Sequence, residues 1–160
     1  MTAFRPALMS CSIALMAACS AQPTPTQINL RSVYQNSYCG TEEPGLRWLN
    51  SGEFATLVRG PGAGQHLGVE PTPVPHVDAD ERLLQVSLGQ KGSGGHAVLL
   101  NSDTAQVKQD MLVLPLTIEQ PPAGSMQTMQ LTYPCLVIAL PHEGYSRVRG
   151  DDIGEIPAEK

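Results

Sequence analysis

Hydrophobic positions along this chain fall into short runs whose period changes part-way. From Leu83 onward the period is two: Leu84, Val86 and Leu88 alternate with Gln85 and Ser87, as on a strand with one covered face. Leu112, Leu114, Leu116 and Ile118 give the cleanest alternation. Pro115 lies on the opposite face and lacks an N–H, which puts that strand at an edge or a bulge. Residues 97–100 (AVLL) are apolar on both faces, as a central strand is. Residues 129–133, 136–140 and 145–149 supply further strands, and Ile28, Leu30 and Val33 mark a first one within 28–38. One segment switches to a helical period. Asn50 with Glu53 makes a capping box, Phe54, Leu57 and Val58 follow at helical spacing, and Gly60-Pro61-Gly62 stops the turn. The expected helix is 52–59, with Phe54 and Leu57 facing inward and Trp48 in the core nearby. Residues 39–45 and 61–75 read as loops. Several short strands separated by turn residues predict a mainly β chain: an antiparallel β-sandwich or barrel-like domain with one short helix.

The N-terminus follows a different pattern. Arg5 is followed by an uncharged run from Ala7 to Ala18, too short to span a bilayer and typical of a signal-peptide core. Leu15-Met16-Ala17-Ala18-Cys19 reads as a bacterial lipobox, so Cys19 is the expected site of lipidation; the alternative is an ordinary cleaved signal. Ser20 rather than Asp after the cysteine directs the expectation to the outer membrane. The organisation is then a signal at 1–18, a flexible tether at 19–27, a single β-rich domain at 28–150 and a frayed tail at 151–160.

Composition narrows the function classes. The net charge is −5 with only 10 Lys and Arg, which argues against nucleic acid. One Trp, two Phe and four Tyr are few for the lining of a small-molecule pocket, so no small-molecule substrate is expected. Of four cysteines, Cys11 leaves with the signal and Cys19 takes lipid. Cys39 and Cys135 remain as an even pair in an exported chain, and one disulfide is expected, the alternative being two buried thiols.

No residue pattern supplies catalysis. Gly92-Ser93-Gly94-Gly95 is not a nucleophile elbow, because Lys91 stands two before Ser93 and strands flank it. It is not a phosphate cradle either, since no helix follows. What remains is a glycine turn or an exposed recognition loop. His66, His76, His96 and His142 have no ligand spacing, so no metal and no cofactor are expected. Asp78, Asp80 and Glu81 read as a solvated loop end, and 133–135 as a strand end, a turn and a crosslink.

Residues 77–151 resemble the C-terminal domain of the PrcB family, bacterial lipoproteins named after an accessory subunit of a surface protease complex. The resemblance is carried by Val77-Asp78 before strand 83–88, by Gly89-Gln90-Lys91-Gly92-Ser93-Gly94-Gly95-His96, by the apolar hairpin to Glu119, by Pro121-Pro122-Ala123-Gly124, and by QTMQLTYPCLVIALP at 127–141. The family's loop usually reads Lys-Pro-Thr-Gly-Gly-Tyr. Here Gly92, Ser93 and His96 replace Pro, Thr and Tyr, while Gly94 and Gly95 are kept. The resemblance implies a non-enzymatic, protein-binding accessory role. The partner would be an exported protein such as a protease, met through the loop Lys91, Gly92, Ser93, Gly94, Gly95, His96 and the 121–126 turn. Inhibition of a protease by the same loop is the alternative.

Overall fold

The structure is a computed structural model and describes residues 26–60 and 72–158. The signal, Cys19, most of the tether and His66 lie outside the described residues.

The chain is mainly β. Its strands are β1 Thr26–Asn29, β2 Arg31–Asn36, β3 Pro44–Leu49, β4 Glu81–Leu88, β5 Ala97–Leu100, β6 Thr104–Lys108, β7 Met111–Val113, β8 Leu116–Glu119, β9 Cys135–Pro141, β10 Arg147–Gly150 and β11 Gly154–Pro157. They form open sheets rather than a closed barrel: β1-β6-β7-β10-β11, β2-β9-β4-β3 and the pair β5-β8. All pairings are antiparallel except β7 with β10. The single α-helix among the described residues, α1 (Ser51–Arg59), starts where the capping box places it. The Asn50 side chain accepts from the Glu53 N–H at 2.9 Å, and the Glu53 carboxylate accepts from the Asn50 N–H at 2.9 Å.

Two apolar clusters lie on opposite faces of the four-stranded sheet. Leu84, Val86, Leu88, Leu136, Ile138 and Leu140 face the larger cluster with Leu112, Leu114 and Val148. Leu83, Val137 and Ala139 face the smaller one, under Phe54 and Val58 of α1. Thus β4 is buried on both sides, and the expected water-facing residues Gln85 and Ser87 are only 2% and 3% exposed. Both are satisfied there, as buried polar groups must be. Gln85 Oε1 accepts from Arg47 at 2.9 and 3.1 Å and its amide donates to the Cys39 carbonyl; Ser87 Oγ accepts from the Thr41 N–H at 2.9 Å.

Several expectations are corrected. The 112–118 stripe is not one strand. The chain turns at Leu114-Pro115, so β7 joins the five-stranded sheet and β8 pairs with β5. Proline's missing donor and fixed φ make that a natural break. Residues 97–100 are not central, because β5 has only β8 as ladder partner and only Val98 is fully buried. In α1 the buried residues are Phe54 and Val58, with Leu57 at the margin. Strand order begins at Thr26, inside the expected tether. The expected tail from 151 instead forms a 3-10 turn, Asp151–Ile153, and β11, with the Trp48 indole N–H donating to the Pro157 carbonyl at 2.9 Å. The loop expectation at 39–45 missed β3, which begins at Pro44.

Candidate protein-docking tip

The Gly-rich loop leaves the end of β4 and is fastened to a second loop. Lys91 and Thr132 exchange backbone hydrogen bonds at 2.8 and 2.9 Å. The Gly94 N–H donates to the Thr128 carbonyl at 3.0 Å, and the Thr132 hydroxyl donates to the Ser93 carbonyl at 3.0 Å. Gly95 has φ +82°, and a Cβ there would stand 2.7 Å from Gln127 Oε1 and 3.2 Å from Pro121 Cβ. The left-handed backbone requires glycine at that position, and the close Pro121 ring adds to the cost of any side chain. Gly92 meets nothing within 4 Å. So the candidate loop 91–96 and the 121–126 turn, named separately from the sequence, are neighbours in space.

The strand expected at 129–133 is absent. Only the bridges Lys91↔Thr132 and Tyr38↔Tyr133 remain of it. Its alternation survives in an informative way. Thr132 is buried, and its hydroxyl is used by the Gly-rich loop. Leu131 is 53% exposed, Met129 90% and Met126 101%. Tyr38, brought alongside by its bridge to Tyr133, is 56% exposed. These four side chains belong to neither core. Sequence reasoning placed Met129 and Leu131 on a strand and Tyr38 at the end of the first strand segment, none of them at a binding site. The available signal was that 126–131 holds apolar residues with no second apolar row to face.

Cys39 and Cys135 lock the base of this tip. They form a disulfide with a Cα–Cα distance of 5.3 Å. Next to it the Gly40 N–H donates to the Tyr133 carbonyl at 2.7 Å, an approach that a Cβ would block.

The remaining candidates scatter. His96 closes the tip loop, whereas His76 and His142 lie near the other end of β4. There His142 Nδ1 accepts from Arg82 Nε at 2.7 Å, and its Nε2 lies 3.1 Å from the Glu81 carbonyl. Asp78 and Glu81 are bound up with Arg31, which donates to Glu81 Oε2 at 2.5 Å. Burial pushes the Glu81 carboxyl up, but the Asp78 N–H and the Arg31 guanidinium outweigh it and hold it below its ordinary value. Among the described residues, no group of three or more His, Cys, Asp or Glu is placed to hold a metal ion. No helix there is long and apolar enough to cross a membrane.

A family model described as PrcB C-terminal matches residues 83–141. Over those residues the chain is similar to the PrcB C-terminal region. The match runs from the third residue of β4 to the end of β9, narrower than the 77–151 read from the residues, and it contains the tip apart from Tyr38. The PrcB relationship points to an accessory role connected with a protease complex, and this is not a known catalytic family. No curated protein and no solved structure matches the chain.

Proposed function

We propose that this chain is an outer-membrane lipoprotein, held by lipid on Cys19, whose β-sandwich binds another exported protein without catalysing a reaction. The partner is a protease or a component of its complex, in keeping with the PrcB relationship. The observation that carries the reading is the tip. A glycine loop stitched by four hydrogen bonds to a neighbouring loop displays Met126, Met129, Leu131 and Tyr38 outside both cores. Methionine is adaptable and enriched at interface centres, and exposed apolar clusters on a rigid scaffold commonly mark binding sites.

The test uses crosslinked, detergent-solubilised membranes from cells producing the full chain or the Met129→Asp/Leu131→Asp variant. Neither side chain supports the fold, so folding is unchanged and recovery of specific exported proteins drops about tenfold or more. Identical profiles would remove the tip from the account. Palmitate labelling lost on Cys19→Ala tests the anchor. Assays of the recovered protease with and without the purified chain separate scaffolding from inhibition, and an unchanged turnover rate is the expected result.

A further inference from the structure

The chain enters the four-stranded sheet at one end and presents the tip at the other. β2 runs antiparallel to β9, with Arg31 opposite Ala139 and Asn36 opposite Cys135. One step earlier in the chain, Ile28 of β1 lies over Gly144, just beyond the C-terminal end of β9. The chain therefore enters the fold at one end of β9. The tip sits at the other end, where Thr132 and Tyr133 lead into Cys135. The seven residues of β9 alone separate these ends by about 20 Å at 3.4 Å per residue.

We propose that the tip faces away from the anchoring bilayer and is covered by an apolar patch on another protein, which it meets above the membrane surface. This rests on the lipid anchor at Cys19. Seven residue steps join Cys19 to Thr26, and a stretch containing Pro23 and Pro25 reaches about 22 Å at 3.1 Å per residue. Turning the tip down onto the bilayer lifts Thr26 by at least the length of β9. That leaves the tether almost no slack and removes its conformational freedom. The upright placement imposes no such stretch. A bilayer is thus the wrong occupant for Met126, Met129 and Leu131, and their thioether and aliphatic surface fits an apolar protein patch.

The experiment uses the purified lipidated chain in phosphatidylcholine vesicles that contain a headgroup-nitroxide lipid. A fluorophore is placed at Gln27→Cys or at Met126→Cys, both on exposed side chains. Strong quenching at 27 and little at 126 is the expected pattern. Equal or stronger quenching at 126 overturns the orientation. A photo-crosslinking residue replacing Leu131 in growing cells then reports the occupant. An adduct with a different exported protein, absent when the same residue replaces Glu143 near the anchored end, supports the proposal; a dimer of this chain or a lipid adduct overturns it. Failure of the wild-type chain to float with vesicles is a separate result, read before any quenching, and it removes the anchor itself.

Discussion

The Cys39–Cys135 disulfide joins residues 96 apart in sequence, so its removal tests how far the fold depends on one covalent constraint. The perturbation is the double variant Cys39→Ala/Cys135→Ala. Both side chains are buried in the smaller cluster, and the cavities left by two sulfurs are small beside the entropy released in the unfolded chain. In the chain-entropy treatment, a closed loop of nearly one hundred residues constrains the denatured state by about 4.7 kcal/mol, a ceiling rather than a central value. Typical measured losses are about 2–4 kcal/mol, against a total stability of about 5–15 kcal/mol for a domain. The variant therefore still folds at low temperature but has a much lower midpoint. The assay is urea unfolding followed by Trp48 fluorescence and far-UV circular dichroism, with and without reductant. The midpoint falls and the slope with urea rises, because the unlinked denatured chain exposes more surface. Reductant moves the wild type toward the variant and leaves the variant unmoved. A loss under about 1 kcal/mol would refute the reasoning, since it would mean that the sheets alone already hold residues 39 and 135 together in the denatured ensemble.

Phe54→Ala, which empties the largest side chain under α1, costs about 3–5 kcal/mol by chemical denaturation, whereas Leu131→Ala at the tip changes stability by less than about 0.5 kcal/mol. Glu81 is held below its ordinary value of 4.5 in the folded chain, so its contribution is present above that pH and is lost as pH falls through the lower folded value; Glu81→Gln flattens this part of the acid limb of a stability–pH curve. Burial pushes the Tyr145 phenol up to about 12 from 10.0, so its share of stability is intact below pH 10, fades as pH rises toward 12, and is absent from the alkaline limb of Tyr145→Phe. β6 and β7 are joined by Gln109 and Asp110, with φ of 49° and 62°, a two-residue turn that favours Asn-Gly; Gln109→Asn/Asp110→Gly raises the thermal midpoint by a few degrees, about 1 kcal/mol.

The legible parts of this fold were those set by local chemistry. The helix was visible because Asn50 and Glu53 satisfy each other's backbone donors whatever surrounds them. β4 and β9 were visible because their apolar content has strand length. What was hidden depended on layers that a one-dimensional pattern does not carry. Gln85 and Ser87 look like a wet face until α1 and the 39–41 segment cover them. The 112–118 stripe is a perfect strand pattern, yet Pro115 divides it between two sheets. Met129 and Leu131 mimic a strand row but have no opposing layer. Conversely, Glu155 looked like part of a loose tail. It is tied by Arg149 and Arg147 at 3.0 and 2.9 Å, and the Arg149 hydrogen bond, the largest influence on it, holds its carboxyl below the ordinary range. Of the candidate site, the glycine loop and the 121–126 turn were legible as separate loops. Their contact was not, because three of its four hydrogen bonds run through backbone groups that any residue would supply and the fourth through the Thr132 hydroxyl, which alternation alone does not assign.

The extent of the PrcB match now acquires a structural meaning. Residues 83–141 supply the central pair β4 and β9 of the four-stranded sheet, together with β6 and β7 of the five-stranded one. The strands that close those sheets, β2, β3, β1, β10 and β11, come from outside the match, and so does α1, which roofs the second apolar cluster. Cut out alone, the matched segment would leave β4 and β9 with bare edges and uncover Leu83, Val137 and Ala139, an aggregation hazard rather than a domain. The disulfide makes the same point, since Cys135 lies inside the match and Cys39 outside it. The matched segment therefore carries the tip apart from Tyr38 and the middle of both sheets, and the flanking chain makes it foldable. Substitution at Gly95, by contrast, strikes the contact with Pro121 and Gln127 that holds the tip in shape.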